Sequence, residues 1–338
     1  MTTLPTTMRA WRRTTYGPAD GVQEERMPVP TPGPGQVLLR IEATALNAGD
    51  VRLLLGDPLL VRPVFGLTRP KQPVRGMDVV GTVVAVGDGA ADAPLGASVV
   101  VELSGGGGLA EYAVAPADRI VARPASVGAA AAACVPIAGG TAWQALDAAG
   151  LTPGGAAAPG RRVLVLGASG GVGTFAVQLA VIRGAEVWAT CGERNRELVE
   201  ELGAVRVLDH RTSPLDELPA GHFDAVIDVA GGVPIRALQR LVRDGGRVVL
   251  VTGNGGHVVG PLPRMVAAAV LSIGSRRTVR PIAATPKREV VRELLTLLEA
   301  RALRPVIERA YPFAEASAAL AHVAAGHTVG KVVVASAP

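Results

Sequence analysis

Two patterns of hydrophobic and polar positions divide the chain. Over the first 125 residues, short apolar segments alternate with turn-forming clusters such as Pro30–Gly35 and Gly87–Pro94. The segments with strand character are Val37–Ala43, Val79–Val86 and Ala97–Glu102. This spacing predicts a small, barrel-like all-β unit. From about Ser126 onward, strands alternate with amphipathic helices, which predicts βαβ units and a parallel sheet.

The second pattern predicts individual elements. Strands are expected at Arg162–Gly167, Glu186–Thr190, Val205–Leu208, Asp224–Val229 and Gly246–Thr252, and helices at Gly171–Arg183, Arg194–Leu202 and Lys287–Arg301. Two late strands, Val306–Tyr311 and Val332–Val334, are expected to return to the first unit. We therefore expect an α/β protein with a β domain of residues 1–125 and 306–338 and a doubly wound domain of residues 126–305.

A glycine-rich turn between a predicted strand and a predicted helix carries the sharpest motif. It reads Val163-Leu-Val-Leu-Gly167-Ala-Ser-Gly170-Gly171-Val-Gly173. Glycines permit the tight turn and let backbone N–H groups approach a pyrophosphate at the helix N-terminus. The G-x-x-G-x-x-G spacing is only moderately specific, and a tight turn without a ligand is the alternative. The position between strand and helix favours a dinucleotide site.

The residues at the end of the next predicted strand indicate whether the site prefers NADPH or NADH. An NAD site places Asp or Glu there to hold the ribose 2′-OH. Here the strand ends at Thr190 and Cys191, and the first carboxylate, Glu193, is followed at once by Arg194. A guanidinium forms forked hydrogen bonds with a 2′-phosphate, so Arg194 favours NADPH. The alternative is a solvated Arg194 beside a competing Glu193.

The distribution of cysteine and histidine along the chain limits which metal sites the protein can form. The two cysteines, Cys134 and Cys191, exclude a disulfide scaffold and suit a reducing cytoplasm. The first of the five histidines is His210, so residues 1–133 contain no cysteine or histidine for a three-ligand catalytic zinc site. Asp50, Asp78 and Glu102 could only form an all-carboxylate set, which suits Mg²⁺ or Mn²⁺ better. We expect no metal.

The net charge of +5 does not indicate nucleic-acid binding. Of the 34 basic residues 31 are arginine, as a GC-rich genome imposes, and they are scattered rather than grouped in a basic block. No apolar signal region follows Arg9, Arg12 and Arg13, and no apolar run reaches membrane-spanning length. We expect a soluble cytoplasmic protein without nucleic-acid or membrane partners.

Motifs along nearly the whole chain carry a family resemblance. They are Leu46-Asn47-Ala-Gly-Asp50, Gly76-Met-Asp78-Val-Val-Gly81, Gly108-Leu-Ala-Glu111-Tyr112, Gly139-Gly-Thr141, the loop Gly167–Gly173 and Gly330-Lys331. In this order and spacing the sequence resembles the medium-chain dehydrogenase/reductase superfamily, in its zinc-independent quinone-oxidoreductase and enoyl-reductase branch. Thr190-Cys-Gly-Glu-Arg194-Asn195 is similar to a turn of a zinc-less actinobacterial subgroup.

The resemblance implies a GroES-like β domain and a Rossmann domain, with the nicotinamide in the cleft between them. It places Asn47 and Thr141 near the nicotinamide and Ser169, Gly170, Gly171 and Val172 at the pyrophosphate. Around the adenosine it places Cys191, Arg194, Asn195 and His210, and it adds Ala230, Thr252, Gly253 and Lys331 to the cofactor site. A homodimer through the region of Arg264–Gly274 is implied as well, and a core helix there is the equal alternative.

Without zinc, the substrate has to stabilise its own developing negative charge. Hydride delivery from NADPH to an alkene conjugated with a carbonyl meets this condition, because it forms an enolate that needs one proton. Candidate catalytic residues are Asn47, Asp50, Arg52, Glu102 and Tyr112. Arg52 stands where many relatives have a tyrosine, Asp50 more often braces a loop in such folds, and solvent is an alternative proton source. Glu102, after an apolar run, is a half-buried acid or a solvated strand end.

We therefore expect an NADPH-dependent reductase of an enone, enoyl or quinone substrate. Related enzymes of polycyclic tetramate macrolactam pathways extend such chemistry to reductive ring closure of a natural-product polyene. One alternative is a zinc-independent alcohol dehydrogenase or carbonyl reductase that uses NADP. Another is a non-catalytic NADPH-binding protein.

Overall fold

The computed structural model describes residues 4–90, 94–153, 160–251 and 255–335. The chain forms two compact units. The first unit combines Met1–Ile137 with Pro286–Pro338, and the second is Ala138–Thr285.

The N-terminal part of the first unit is mostly β-structure, in agreement with the pattern of short apolar segments. Its strands are β1 (Thr7–Arg12), β2 (Gln23–Pro28), β3 (Gln36–Leu46), β4 (Asp78–Val86), β5 (Ser98–Glu102), β6 (Tyr112–Pro116) and β7 (Val121–Ala122). Its helices are α1 (Ala48–Leu55), α2 (Arg62–Phe65) and α3 (Ala129–Ala133). A π-helical turn, Val135–Gly139, leads into the second unit.

The second unit alternates helices and strands. The helices are α4 (Gly140–Ala148), α5 (Gly171–Ile182), α6 (Arg196–Glu201), α7 (Ile235–Leu241) and α8 (Leu262–Ser272). The strands are β8 (Arg162–Leu166), β9 (Glu186–Cys191), β10 (Arg206–Asp209), β11 (Phe223–Asp228), β12 (Val242–Leu250) and β13 (Thr278–Pro281). The region of Arg264–Gly274 lies mostly in the helix α8, and the homodimer stays a prediction.

The chain then returns to the first unit through α9 (Arg288–Glu299), β14 (Ile307–Pro312), α10 (Ala316–Ala324) and β15 (Lys331–Ala335). The helix α9 therefore belongs to the first unit, whereas the sequence pattern assigned it to the parallel-sheet domain. Its contacts explain the difference, because α9 packs against β7 of the first unit, and Ser126 Oγ donates a hydrogen bond of 3.2 Å to Glu299 Oε1 at its end.

In the sheet of the first unit the C-terminal strand β15 lies between β14 and β3. Within the described residues the strand order is β14-β15-β3-β4-β5-β7, and β6 pairs with the other end of β3. Alternate residues of β3, β4 and β5 fill a core that includes Leu39, Val79, Val99 and Val101. This alternation leaves Asp78 and Glu102 on the opposite face from that core, since successive side chains of a strand point to opposite faces.

The sheet of the second unit has the doubly wound order. In the described part of the chain six parallel strands follow the order β10-β9-β8-β11-β12-β13. In order of occurrence this is the 3-2-1-4-5-6 arrangement of a Rossmann fold, and the order reverses between β8 and β11. The predicted α/β class is confirmed. Within these residues no helix is long and apolar enough to cross a membrane.

Candidate active site

The turn between β3 and α1 is fixed by the buried carboxylate of Asp50. Asn47 is the N-cap of α1, and its backbone N–H donates to Asp50 Oδ2 at 2.9 Å. The N–H of Gly76 donates to Asp50 Oδ1 at 2.8 Å. Burial raises the pKa of Asp50, and these two hydrogen bonds lower it. Asp50 thus holds two chain segments together, the bracing role expected of it.

The Asn47 amide is oriented by a buried ion pair. Lys331 Nζ, at the start of β15, donates to Asn47 Oδ1 at 2.5 Å and to the carbonyl oxygen of Leu46 at 3.0 Å. Asn47 Nδ2 donates to Asp78 Oδ2 at 2.9 Å, and Lys331 Nζ lies 3.6 Å from the same oxygen. Opposite charges on the two sides of the amide leave it only one favourable orientation. The structure therefore brings Asn47 and Lys331 together.

Glu102 stands beside this ion pair. It is the register partner of Asp78 across β4 and β5, so the two side chains are neighbours on one face. Within residues 4–90, 94–153, 160–251 and 255–335, its carboxylate accepts no hydrogen bond. Burial, followed by the repulsion of Asp78, raises the pKa of Glu102 to about 7, while Arg119 lowers it. Burial likewise raises the pKa of Asp78 to about 6, against the attraction of Lys331. The half-buried Glu102 carboxyl therefore retains a proton near neutral pH.

The remaining catalytic candidates lie apart from this cluster or have other partners. Arg52 is half-buried on α1, and its carbonyl oxygen accepts the N–H groups that end the helix. Tyr112 pairs with Arg40 and packs on a separate hydrophobic cluster. Asp78 pairs with Ala45, five residues or up to about 17 Å further along β3. Tyr112 thus lies apart from Asp78 along β3, and its catalytic role stays a prediction.

The donors in the first unit do not fit zinc. Among the described residues no group of three or more His, Cys, Asp or Glu side chains is placed to hold a metal ion. Asp50 and Asp78 are committed to N–H donors and to Lys331, and burial raises the pKa of the Cys134 thiol to about 12. No step of the chemistry is therefore assigned to a metal, and zinc independence stays a prediction.

The glycine-rich loop of the second unit has the form of a phosphate cradle. It follows β8 at the point where the strand order reverses, and Gly170 is the N-cap of α5 without a capping side chain. The first N–H groups of α5, from Gly171 and Val172 onward, have no partner inside the helix. A Cβ at Gly170 would have only one atom within 4 Å, Gly167 O at 3.6 Å, so the space in front of the helix is open. Ser169, Gly170, Gly171 and Val172 fit a bound pyrophosphate.

The turn after β9 contains Glu193 and Arg194, the arginine expected to select NADPH. Glu193 forms a two-pronged ion pair with Arg196, with distances of 2.8 and 2.7 Å. The Glu193 carboxylate, which could have competed with a 2′-phosphate for Arg194, is therefore bound by Arg196. Arg194 is exposed in a 3-10 turn that Asn195 ends, and Asn195 N donates to the carbonyl of Gly192.

His210 and Cys191 lie at the same edge of the sheet. His210 Nδ1 is 3.0 Å from the carbonyl oxygen of Cys191. The Cys191 thiol is buried, which raises its pKa to about 11, so it packs rather than reacts. The sequence reasoning missed Arg211, an exposed arginine directly after His210. The position after the third parallel strand was the available signal.

The other cofactor candidates surround the strand ends. Thr141 is the second residue of α4, and Ala230 follows β11 with its N–H donating to the carbonyl of Leu166. Thr252 and Gly253 lie outside the described residues.

A buried ion pair at the end of β11 escaped the sequence reasoning. Asp228 accepts from Gly231 N–H at 2.8 Å and from Arg264 Nη2 at 2.9 Å. Its carboxylate is 1% exposed, and this pair joins the loop after β11 to α8. The Asp228–Arg264 pair lies at the edge formed by the carboxyl ends of the strands, where a doubly wound fold binds its ligand. An Asp at a strand end was visible in the sequence, but its partner 36 residues away was not.

Known proteins are similar to this chain over both units. Residues 33–125 match the family described as alcohol dehydrogenase GroES-like domain, and residues 202–334 match zinc-binding dehydrogenase. The chloroplast envelope quinone oxidoreductase homolog of Arabidopsis thaliana is 39% identical over 334 residues, which are 97% of this chain and 98% of that protein. The NADPH-dependent alkenal/one oxidoreductase of the same plant is 30% identical, with 99% and 81% covered. The structure of the quinone oxidoreductase from Coxiella burnetii has a TM-score of 0.83 at 26% identity, with 97% and 99% covered.

Two glycines of the cradle should respond differently to alanine. A Cβ at Gly173 would lie 2.1 Å from Gly167 O, so Gly173→Ala should lower stability by about 1–3 kcal/mol. Gly170→Ala meets no close atom and should cost less than about 1 kcal/mol, yet weaken binding of a nicotinamide dinucleotide about tenfold by standing before the helix N-terminus. Thermal unfolding and fluorescence titration measure the two effects. An unchanged melting temperature in Gly173→Ala would contradict the packing argument.

Proposed function

The chain belongs to the medium-chain dehydrogenase/reductase superfamily, among relatives of the quinone-oxidoreductase type, and from this premise we propose that it uses NADPH to reduce a carbon–carbon double bond conjugated to a carbonyl. Enones, enoyl compounds and quinones are the substrate class. One observation carries the proposal: a half-buried Glu102, with its pKa raised to about 7, stands beside an Asn47–Asp78–Lys331 network whose donors suit proton and charge handling rather than zinc.

When bound, NADPH supplies a hydride to the electron-poor alkene carbon. The alkene π electrons then move onto the carbonyl oxygen, which becomes an enolate, and the neighbouring carbon takes one proton. In its acid form Glu102 is neutral and holds such a proton, and transfer of that proton to the carbon leaves Glu102 as a carboxylate. The nearby Lys331 ammonium is the positive charge that favours an oxyanion. Asn47 acts as a positioning residue, because its amide is already committed to Lys331 and Asp78.

The cofactor preference rests on the turn after β9. Glu193, the carboxylate that follows β9, is held by Arg196. Arg194 and Arg211 both follow carboxyl ends of neighbouring parallel strands, since β9 pairs with β10 and Asp209 is the register partner of Cys191. Two guanidinium groups at one edge favour the 2′-phosphate of NADPH over the bare hydroxyl of NADH. The name of the Arabidopsis alkenal/one oxidoreductase supports the same choice.

The two buried, free cysteines, Cys134 and Cys191, support action in the reducing cytoplasm. A polyene with a conjugated carbonyl is within the proposed substrate class, and its enolate would be the nucleophile for ring closure.

A substrate panel with labelled cofactor tests the reaction. We expect NADPH deuterated at the transferred position to reduce enones, with deuterium on the carbon β to the carbonyl by NMR, and to reduce quinones to hydroquinones. Label on a carbinol carbon would instead show carbonyl reduction by a zinc-independent dehydrogenase. Tight NADPH binding with no cofactor consumption across the panel would show a non-catalytic protein. Either result overturns the proposal.

Glu102 should impose an alkaline limit on the rate. Its acid form predominates below a pKa of about 7, so kcat/KM should fall about tenfold per pH unit above that value. Glu102→Gln should lower kcat/KM at pH 6 by about 100-fold and remove the alkaline limb. Asp118→Asn, at an exposed carboxylate of the same unit, should keep the wild-type profile. A wild-type profile in Glu102→Gln would assign the proton to solvent.

Removal of the two arginines should affect one cofactor only. Arg194→Ala and Arg211→Ala should each raise the KM for NADPH about tenfold and change the KM for NADH less than twofold, because only NADPH carries the 2′-phosphate. Arg206→Ala is the control, since Arg206 stacks on Trp188 at 4.4 Å at the start of β10. Equal losses with both cofactors would refute this assignment. Steady-state kinetics with each cofactor measures the effect.

A further inference from the structure

An open cavity of about 550 Å³ lies in the first unit, between the end of β1 and the loop of residues 66–73. We call it the Arg12 cavity. Its walls include Arg12, Thr14, Leu67, Arg69, Lys71 and Pro73. It is separate from the Asn47–Asp78–Lys331 network, none of whose residues lines it.

The charges of the Arg12 cavity are all positive. Three of its lining residues are cationic, and no carboxylate lines it. Arg12 Nη1 pairs with Glu25 at 3.0 Å, but Arg12 Nε is buried without a hydrogen-bond acceptor. Arg69 and Lys71 have no ion pair anywhere in the part of the chain that the structure describes. An excess of about two positive charges, those of Arg69 and Lys71, therefore meets at one cavity, and an oxyanion would neutralise it.

The loop that carries these charges is anchored rather than free. Lys71 N–H donates to the carbonyl of Phe65 at 2.8 Å, and Tyr16 OH donates to the carbonyl of Gly66 at 2.5 Å. At the other end Arg13 N–H donates to the carbonyl of Pro73 at 3.0 Å. Gly66 has φ of 128°, and a Cβ there would lie 1.9 Å from Arg69 O, so the turn requires glycine. The cationic side chains thus start from a fixed backbone, which lowers the entropy cost of binding.

We propose that the Arg12 cavity is an anion site for a ligand bearing a phosphate group, distinct from the cofactor site. A phosphate dianion matches the two unpaired charges, and its several oxygens can accept from the Arg69 guanidinium and the Lys71 ammonium together. The hydroxyl of Thr14 is a further donor at the wall.

The site is connected to the proposed reaction centre through the chain. Pro73 precedes Gly76 by three residues, at most about 10 Å of extended backbone, and Gly76 N–H holds Asp50. The phosphate can therefore belong to the substrate itself or to a separate small molecule. The anion site does not depend on the proposed reduction.

Calorimetric titration with inorganic pyrophosphate tests the site. The protein is first saturated with NADP⁺, so that the phosphate sites of the second unit are filled. Arg69→Ala/Lys71→Ala should weaken pyrophosphate binding at least tenfold. Arg40→Ala/Arg236→Ala, which removes two exposed charges elsewhere, should change it less than twofold. No binding to the wild-type protein, or equal affinity in both double variants, would overturn the proposal.

Kinetics then separate the two sources of the phosphate. If the substrate carries it, an enone with a phosphate monoester should show a KM at least tenfold higher in Arg69→Ala/Lys71→Ala than in the wild type, with no change for a neutral enone. If a separate molecule supplies it, neither KM changes while pyrophosphate binding is still lost. Both outcomes uphold the site. The neutral enone reports on the proposed reduction independently, so failure of one proposal is not failure of the other.

Discussion

The buried ion pair of Lys331 and Asp78 is the interaction on which the first unit depends. Both side chains are at most 3% exposed, and each lies on a different strand of the same sheet. Moving two charges out of water is costly, and removal of either partner would leave the other unpaired, at a cost of about 3–5 kcal/mol. The gain is specificity: the pair fixes the Asn47 amide between them and joins the C-terminal strand to β3.

Burial, followed by the repulsion of Asp78 from this ion pair, explains the proton on Glu102. Three carboxyl groups, those of Asp50, Asp78 and Glu102, lie close enough to influence one another, and Lys331 is a shared counter-charge for two of them. Asp50 and Asp78 have hydrogen-bond donors, whereas Glu102 has none in the described residues. Burial therefore raises the pKa of Glu102 to about 7, above the value of about 6 for Asp78. The buried Lys331–Asp78 ion pair of the first unit therefore lies next to Glu102, which is a neutral acid below a pKa of about 7.

In the second unit, the strand order positions the candidate cofactor site. The order reverses between β8 and β11, and the residues after these two strands form the phosphate cradle and the Asp228–Arg264 pair. Gly173 lets α5 begin close to the loop, because any Cβ there would collide with Gly167 O. The proposed NADPH site thus combines one feature of local sequence with one of sheet topology.

The sequence alone determined the elements whose signals are local. Periodicity located β8 and α5 to within one residue, the glycine spacing marked the cradle, and the absence of cysteine and histidine from residues 1–133 removed the donors that zinc prefers. The tertiary structure decided what depends on distant partners: that Lys331 reaches Asn47, that Glu193 pairs with Arg196 rather than with Arg194, that Tyr112 packs away from Asp78, and that Arg264 meets Asp228. Local conformation follows from neighbouring residues, whereas the pKa and orientation of a buried group follow from burial and from charges that only the folded chain brings near.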